Sequence, residues 1–460
     1  MAIARQTEEL PATPGADSAE SEEAVGLSAM RKATWRLIPI LGIGYGLAFM
    51  DRASVSYAAL GMNQELHFSE TIYGFGAGLF FIGNAIAEVP SNLLLLRYGA
   101  KRIMGAIILF WGIVATSMMF VRTPTEFYSL RLLLGLAEAG FYPGVIYYLT
   151  LWFPARMRAR AVSRFYIALP LSSVVMGSLA GWLMGLHGRM GLSGWQWLFL
   201  VEGVPAIFFA PVILWLLPDG PAHVSWLTRE EKNWLSDKLR RDGAQAHLGH
   251  EAGVLQALLS SRVWVVGLFF FFVGFCAYGF TLSAPSIIKA ATHWSVSMTG
   301  WSIALFSLLG AVAMLINGAH SDRRHERLLH CAVPCLIMGA GYLGASYATQ
   351  PWLQVASLAA SIIAFFALWG PALSIPMEFL AGRAAAAGIA AMNTIAIFSG
   401  FFGPLWMGRT KDVFGNYNAG LRGLVVAALL AAVIIYALIR SLARRPAPGV
   451  LAGEATEESA

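Results

Sequence analysis

Long apolar segments recur along the chain and are separated by short polar breaks. At a rise of ~1.5 Å per residue, each is long enough to cross the ~30 Å hydrocarbon core of a bilayer as a helix. We predict twelve such helices, at residues 33–60, 72–96, 102–121, 125–153, 160–187, 195–217, 263–289, 297–319, 328–349, 353–380, 385–410 and 418–440. The pattern predicts an all-α polytopic membrane protein.

The longest polar break, residues 218–262, divides these segments into six plus six. It contains Thr228 and Glu231 in a capping-box pattern, followed by an apolar stripe of Trp234, Leu235 and Leu239. This pattern predicts a helix that lies on the membrane surface or, alternatively, is a solvated linker helix. The domains we predict are a disordered cytoplasmic tail at 1–30, an N-terminal six-helix bundle at 31–217, a cytoplasmic linker at 218–262, a C-terminal six-helix bundle at 263–441 and a cytoplasmic tail at 442–460.

Composition and charge agree with a membrane protein. Hydrophobic residues make up 57% of the chain and charged residues 13%, whereas soluble domains carry about 25% charged residues. Lys and Arg concentrate in the tails and in alternate loops, which predicts a location in the cell inner membrane with both termini in the cytoplasm. This topology accounts for the net charge of +6, so nucleic acid is not an expected partner. The acidic first 30 residues lack the apolar core of a signal peptide.

Two predicted spans each carry an acid and an arginine at membrane depth: Asp51 and Arg52 in the first, and Arg131 and Glu138 in the fourth. Arg131 and Glu138 are seven positions apart and share one face of a helix. A charge at membrane depth costs ~2.5–17 kcal/mol depending on method, so such residues normally face a cavity or a partner. One interpretation is an anion and proton site in a water-accessible chamber. The alternative is an ion pair that only locks helices together.

The charges suggest a coupling mechanism. With both acids ionised and both arginines protonated the core is neutral, and arginine keeps its proton in proteins. An entering carboxylate can bind the arginines bidentately and compete with the acids. An acid that loses its cation in a low-dielectric site binds a proton more readily, so an anion and a proton together restore neutrality. We predict Glu138 as the first candidate proton carrier, because it lies deeper in an apolar run, and Asp51 as the second.

The second half supplies polar but uncharged side chains at depth, namely Asn317, Ser374, Asn393 and Thr394. Of these, Ser374 and Asn393 are candidate substrate contacts, as are Tyr45, Phe49 and Trp369 among the aromatic residues. Glu88, near the end of the second segment, fits a structural role better than a transport role.

Short basic loops recur at equivalent places in the two halves. One contains Arg97 and Gly99, and the other contains Asp322 and Arg323. Their recurrence indicates a duplicated unit, as in transporters built from repeats. We predict a gating or structural role for these four residues.

The chain resembles the major facilitator superfamily and, within it, the anion:cation symporter family, most closely its tartrate and hydroxyphenylacetate permease branch. The resemblance covers about 30–440 and is carried by the motifs at 50–52, 88–93, 131–144, 151–154, 194–199, 202–205, 226–235, 321–323, 388–390, 393 and 403–404. It implies two six-helix bundles with alternating access around a central site. It also implies substrate-binding Arg52 and Arg131, proton-coupling Asp51 and Glu138, and a substrate-facing Asn393.

The chain departs from this family at two positions. Leu96 stands where the superfamily loop signature has an acid, so the loop after the second span is expected to latch differently. Asn84 stands where many relatives have Tyr, at a position expected to face substrate, so substrate choice is expected to differ as well.

These observations predict a secondary transporter. Its partners are a small organic anion, protons as the coupling ion and the lipid bilayer, and we expect a monomer. The anion is either a tartrate-like dicarboxylate, which suits two arginines, or an aromatic or hydroxy acid, which suits the aromatic surroundings. Proton-coupled efflux of organic anions or drugs is the alternative. No enzyme, cofactor or metal site is expected, because metalloprotease, nucleophile-elbow and phosphate-loop motifs are absent from the sequence.

Overall fold

The computed structural model describes residues 16–247, 259–324, 326–378 and 382–443. Its α-helices are α1 (Ala16–Glu65), α2 (Glu70–Tyr98), α3 (Ala100–Ser117), α4 (Pro124–Glu138), α5 (Phe141–Thr150), α6 (Ala155–Tyr166), α7 (Ala168–Met184), α8 (Gly194–Leu216), α9 (Arg229–His247), α10 (Ser261–Thr281), α11 (Ala284–Thr292), α12 (Val296–Arg324), α13 (Leu329–Tyr347), α14 (Pro351–Ala372), α15 (Gly382–Phe414) and α16 (Asn418–Ala443). Short 3-10 turns occur at Met118–Phe120, Arg189–Gly191, Pro221–His223 and Ile375–Glu378.

Within these ranges, 12 helical stretches are long and apolar enough to cross a membrane, and each overlaps one of the predicted segments. The fourth stretch combines α4 with α5, and the fifth combines α6 with α7. Because consecutive spans alternate in direction, Tyr98 and the end of α16 lie at one end of the molecule, which we call the terminal face. Glu65 and Glu70 lie at the other end, the distal face.

Prolines set the helix boundaries that differ from the prediction. The seventh span ends at Thr281 and α11 follows separately, because the ring of Pro285 opposes the carbonyl four residues earlier. The tenth span ends at Ala372, the residue whose carbonyl the ring of Pro376 opposes. The fourth span breaks between α4 and α5 for the same reason, since Pro143 opposes the carbonyl of residue 139.

The acidic N-terminal segment is helical from residue 16 onward, so the predicted disorder of residues 1–30 is wrong for that part; residues 1–15 lie outside the described ranges. The extension of α1 is held by contacts that sequence pattern does not reveal. Ser28 Oγ donates to Glu231 Oε1 at 2.6 Å, and Lys32 Nζ lies 2.8 Å from the same oxygen.

The linker forms the predicted helix, α9, and its capping box is present. The Thr228 N–H donates to Glu231 Oε2 at 2.8 Å, and the Glu231 N–H donates to Thr228 Oγ1 at 3.2 Å. The apolar stripe packs on protein: Leu235 is fully buried, and Trp234 and Leu239 pack against the same core. The stripe therefore packs against the extended α1, and the position of this helix relative to the membrane surface stays a prediction. The residue limits predicted for the two bundles stay predictions.

Contacts between the two halves crowd the distal side, where α2 meets α15 and α7 meets α12. Gly177 on α7 and Gly300 on α12 come so close that a Cβ on either would collide with the backbone of the other. At the end of α15, the Asp412 carboxylate accepts the backbone N–H groups of Glu70 at 3.1 Å and Thr71 at 2.7 Å. These contacts close the distal side of the molecule.

Candidate functional site

The structure brings the four charged side chains predicted at membrane depth together between α1 and α4. Arg52 donates from Nε to Glu138 Oε1 at 2.8 Å, and its Nη2 lies 2.6 Å from the same oxygen. The Arg52 and Arg131 guanidinium groups lie over the ring of Phe80, 5.2 and 5.0 Å from its centroid. Asp51 lies within electrostatic range of both arginines and of Glu138. The four groups form one contiguous cluster.

The members of the cluster differ in exposure. Arg131, Glu138 and Asp51 are 1%, 2% and 3% exposed, whereas the side chain of Arg52 is 26% exposed. The expectation that all four share a water-accessible chamber is therefore wrong for this conformation. Three of them are packed behind the fourth, because α2 places Phe80 against both arginines. With the distal side closed, we infer that Arg52 is reached from the terminal side.

The buried members keep unused polar atoms. Among the described residues, Asp51 Oδ2, Glu138 Oε2 and Arg131 Nε have no hydrogen-bond partner. Arg131 Nη2 donates to the carbonyl of Ala77 on α2 at 3.4 Å. Buried polar groups are normally satisfied, so a cluster with three spare atoms is suited to rearrangement rather than to static locking.

A group of aromatic side chains on α1, α5 and α6 adjoins the cluster. The ring of Tyr45 lies 6.1 Å from Phe49, 5.9 Å from Tyr142 and 4.6 Å from Phe165, measured between centroids. Tyr45 is buried and lies within electrostatic range of Arg52. Phe49 is half-buried and packs against the same core. These two predicted substrate contacts therefore lie near the partly exposed Arg52.

Asn84, the other predicted contact in the first half, is buried on α2. The α2 and α4 helices pack closely at this point, because Gly135 on α4 has no side chain. A Cβ added at Gly135 would lie only 3.0 Å from the backbone nitrogen of Asn84. Its place is therefore at the α2–α4 contact, beside the helix that carries Arg131 and Glu138.

The predicted contacts in the second half separate into two places. Asn393 is exposed on α15 and donates to Glu88 Oε1 at 3.0 Å, so this hydrogen bond joins the halves. Trp369 stacks on Phe270 at 6.2 Å between centroids, within the second half. Ser374 donates its hydroxyl to the carbonyl of Pro371 at 2.7 Å. Asn393 adjoins the first half, whereas the described contacts of Trp369 and Ser374 stay within the second.

The described contacts of the two basic loops are local. Gly99, with φ +87°, joins α2 to α3, and the Arg97 guanidinium lies 5.2 Å from the ring centroid of Tyr98. Asp322 forms an ion pair with Arg327 in its own loop, and Arg323 is exposed. Their predicted gating role stays a prediction.

Sequence reasoning missed one buried acid. Glu202 on α8 is 4% exposed and lies within electrostatic range of Asp51. It stands alone in the apolar run 195–217. The rule that selected Asp51 and Glu138, a charge at membrane depth, applies to it equally.

Comparison with known proteins agrees with this architecture. The family model of the Major Facilitator Superfamily matches residues 41–404. A protein of Agrobacterium vitis named "Putative tartrate transporter" is 40% identical over 90% of this chain and 91% of its own length. The "Quinolone resistance transporter" of Acinetobacter baumannii is 37% identical over 90% of this chain and 95% of its own.

A solved structure shares the fold. It is that of a bacterial homolog to the human lysosomal transporter Spinster in an inward-facing and unoccupied conformation, with a TM-score of 0.76 and 19% identity over 90% of this chain and 99% of that one. The predicted all-α fold of twelve spans is confirmed. The chain belongs to the major facilitator superfamily, and it is a multi-pass membrane transporter of a small molecule, not an enzyme.

Proposed function

We propose that the protein is a proton-coupled symporter that takes up a small organic carboxylate by alternating access. It works as a monomer in the cell inner membrane with both termini in the cytoplasm. The observation that carries the proposal is the Arg52–Glu138 pair, in which the cation is partly exposed and the acid is buried. An arriving anion meets the cation first and can separate it from the acid.

The separation couples the anion to a proton. A carboxylate can take two hydrogen bonds from Arg52, and these compete with the two contacts that converge on Glu138 Oε1. Once Arg52 turns to the substrate, an ionised Glu138 would stand buried without the cation that is hydrogen-bonded to it, at a cost of several kcal/mol. Proton uptake removes that cost. Because either ion alone leaves an unpaired buried charge, the two cross together.

The substrate class follows from the exposure of the two arginines, because only Arg52 is partly exposed. Arg131 is buried behind Phe80, so one carboxylate group meets one guanidinium in this conformation. This arrangement opposes the expectation that a carboxylate binds both arginines at once. Next to Arg52, Tyr45 and Phe49 offer an apolar surface. The favoured substrate is therefore an aromatic or hydroxy acid bound through one carboxylate, and a tartrate-like dicarboxylate, as in the name of the 40% identical relative, is the second class.

The second half contributes a neutral hydrogen-bonding group. Asn393 is exposed and donates a hydrogen bond to Glu88. If Asn393 exchanges this hydrogen bond for one to the substrate, closure of the two halves would depend on bound substrate. Glu88 thus acquires a role at the junction of the halves. Trp369 and Ser374 stay candidates for contacts in another conformation.

A thermal-stabilisation screen of the purified protein tests the proposal. The panel comprises tartrate, 4-hydroxyphenylacetate and related mono- and dicarboxylates, with Arg52→Ala and Arg131→Ala beside the wild type. We expect at least one acid to stabilise the wild type and not Arg52→Ala. Proteoliposomes should then accumulate that acid under an inward proton gradient. Stabilisation that survives in Arg52→Ala, or accumulation that ignores the gradient, would contradict the proposal.

Efflux by proton antiport is the second candidate, and one observation favours it: a relative of 37% identity is named a quinolone resistance transporter. The same charges can serve either direction. Transport in inverted and right-side-out vesicles separates them, because a symporter moves its anion with the proton gradient and an antiporter moves it against the gradient.

A further inference from the structure

Glu202 is a buried acid that the exchange between Arg52 and Glu138 does not use. It lies on α8, which packs against α1 and α3. It is 4% exposed, and neither of its carboxyl oxygens has a hydrogen-bond partner among the described residues. From α1, Ser54 lies beside it and Asp51 lies within electrostatic range.

The surroundings of Glu202 require it to hold a proton. An isolated ionised carboxylate in an apolar interior is far less stable than the neutral acid. Of the described elements packed against α8, α1 alone brings a charged or titratable group near Glu202, and that group is the acid Asp51. On the side of α3, Thr116 and Gly112 are the residues nearest to Gly203, which follows Glu202 in the chain. Neither of them carries a charge. No described cation therefore stabilises an ionised Glu202.

Asp51 is the member of the charged cluster that faces this acid. It is 3% exposed and its Oδ2 has no described partner. Ser54 is fully buried beside both acids, and its hydroxyl donates to the backbone carbonyl of Asp51 at 2.7 Å. Glu202 lies eight residues into α8, ~12 Å from the distal end, whereas Asp51 lies ~21 Å from the distal end of α1. Glu202 thus stands between Asp51 and the distal face.

We propose that Glu202 donates a proton to Asp51, which gives the cluster a proton route from the distal side that does not pass the substrate at Arg52. The inference rests on the proposed proton symport. In the step, the Ser54 hydroxyl turns from the backbone oxygen toward Asp51. The O–H bond of Glu202 breaks as its proton passes to Ser54 Oγ, and the proton of Ser54 forms a new O–H bond on Asp51 Oδ2. In the same step the other carboxyl oxygen of Glu202, which has no described partner, takes a proton from water of the distal side, so that Glu202 stays neutral throughout.

The test uses full-length protein in proteoliposomes with radiolabelled tartrate and 4-hydroxyphenylacetate. Two assays are compared: net uptake driven by an inward proton gradient, and substrate exchange without a gradient. The variants are Glu202→Gln, which keeps the volume but has no proton to give, and Glu202→Asp, which keeps the carboxyl. Glu65→Gln is the matched control, because Glu65 contacts the start of α8 through Ser193 and Trp195 but lies at the distal end.

We expect proton-driven uptake by Glu202→Gln to fall by ~10-fold or more, since a positioned proton donor typically contributes 100-fold or more. Its exchange rate should stay close to that of the wild type. Glu202→Asp should recover most of the uptake, and Glu65→Gln should match the wild type in both assays.

Two results would overturn the inference: wild-type uptake by Glu202→Gln, or an equal loss of uptake and exchange, since the latter marks a role in folding or substrate binding. The two hypotheses fail separately. If the wild type accumulates an acid with protons and Glu202→Gln does so equally, only the inference fails. If the wild type accumulates neither acid with protons, the proposed symport and the inference both fail.

Discussion

Replacing Glu138 by Gln tests the role of the acid in the Arg52–Glu138 ion pair. The substitution keeps the volume of the side chain and an oxygen that can accept both contacts from Arg52, which converge on Oε1 at 2.8 and 2.6 Å. A hydrogen bond to a charged group contributes ~1.5–3 kcal/mol, and one between neutral partners ~0.5–1.5 kcal/mol. The variant therefore holds Arg52 less firmly by ~1–1.5 kcal/mol, and an anion no longer has to displace a carboxylate.

We expect Glu138→Gln to bind its anion ~5–15-fold more tightly than the wild type, because 1.4 kcal/mol corresponds to a factor of ten. Its binding should lose most of its dependence on pH, and exchange should persist. Accumulation should collapse: under a gradient of one pH unit a one-proton symporter accumulates ~10-fold, and the variant should only equilibrate its substrate.

The assays are isothermal titration of the purified protein over a pH series and uptake into proteoliposomes. Glu126→Gln is the control, because Glu126 lies exposed on the same helix in a capping box that Gln can also form. Weaker anion binding by Glu138→Gln, or accumulation equal to that of the wild type, would refute the proposed exchange.

Three further predictions concern the supporting contacts. Arg131→Ala should destabilise the protein in detergent by ~3–5 kcal/mol, because it removes one of the two cations from a cluster that holds the buried acids Asp51 and Glu138; a melting temperature equal to that of the wild type would contradict this. Asp412→Asn should weaken the two hydrogen bonds at the start of α2 by ~1–2 kcal/mol and so favour opening of the distal side. The measurement is the rate at which an impermeant thiol reagent labels a cysteine placed at Ser297. An unchanged rate would speak against this prediction. Burial alone would raise the pKa of Glu231, but hydrogen bonds from Lys32, Ser28 and the backbone of Thr228 hold it below its ordinary 4.5. Docking of α9 on α1 should therefore be firm above this pH and weaken as pH falls below it, and protease cleavage of the linker should show this for the wild type, with Glu231→Gln cleaved readily even at neutral pH.

The spans were predictable because bilayer thickness fixes the length of an apolar helix, whatever its partners. The same physics drew attention to Asp51 and Glu138, since a charge at depth is costly wherever it occurs. Applied throughout, it also finds Glu202. Proline alone did not predict the helix breaks, since α8 continues through Pro205 and Pro211 whereas the fourth span breaks at Pro143.

Contacts between distant parts of the chain were not predictable from one sequence. The bond from Asn393 to Glu88 joins residues 305 positions apart. The helix of the acidic N-terminal segment is held by Glu231, which accepts hydrogen bonds from Ser28 and Lys32, 203 and 199 positions earlier in the chain. The exposure of the two arginines was equally unpredictable from the sequence. Arg52 and Arg131 have the same side chain, but the packing of α2 buries Arg131 and leaves Arg52 partly exposed.

The central claim, that an anion and a proton cross together, is tested most directly by the pH inside substrate-free proteoliposomes loaded with a fluorescent pH indicator. When 4-hydroxyphenylacetate or tartrate is added outside, the account predicts that the interior acidifies with the wild type and not with Glu138→Gln. An unchanged interior pH while radiolabelled substrate enters, or an interior that becomes more alkaline, would contradict it.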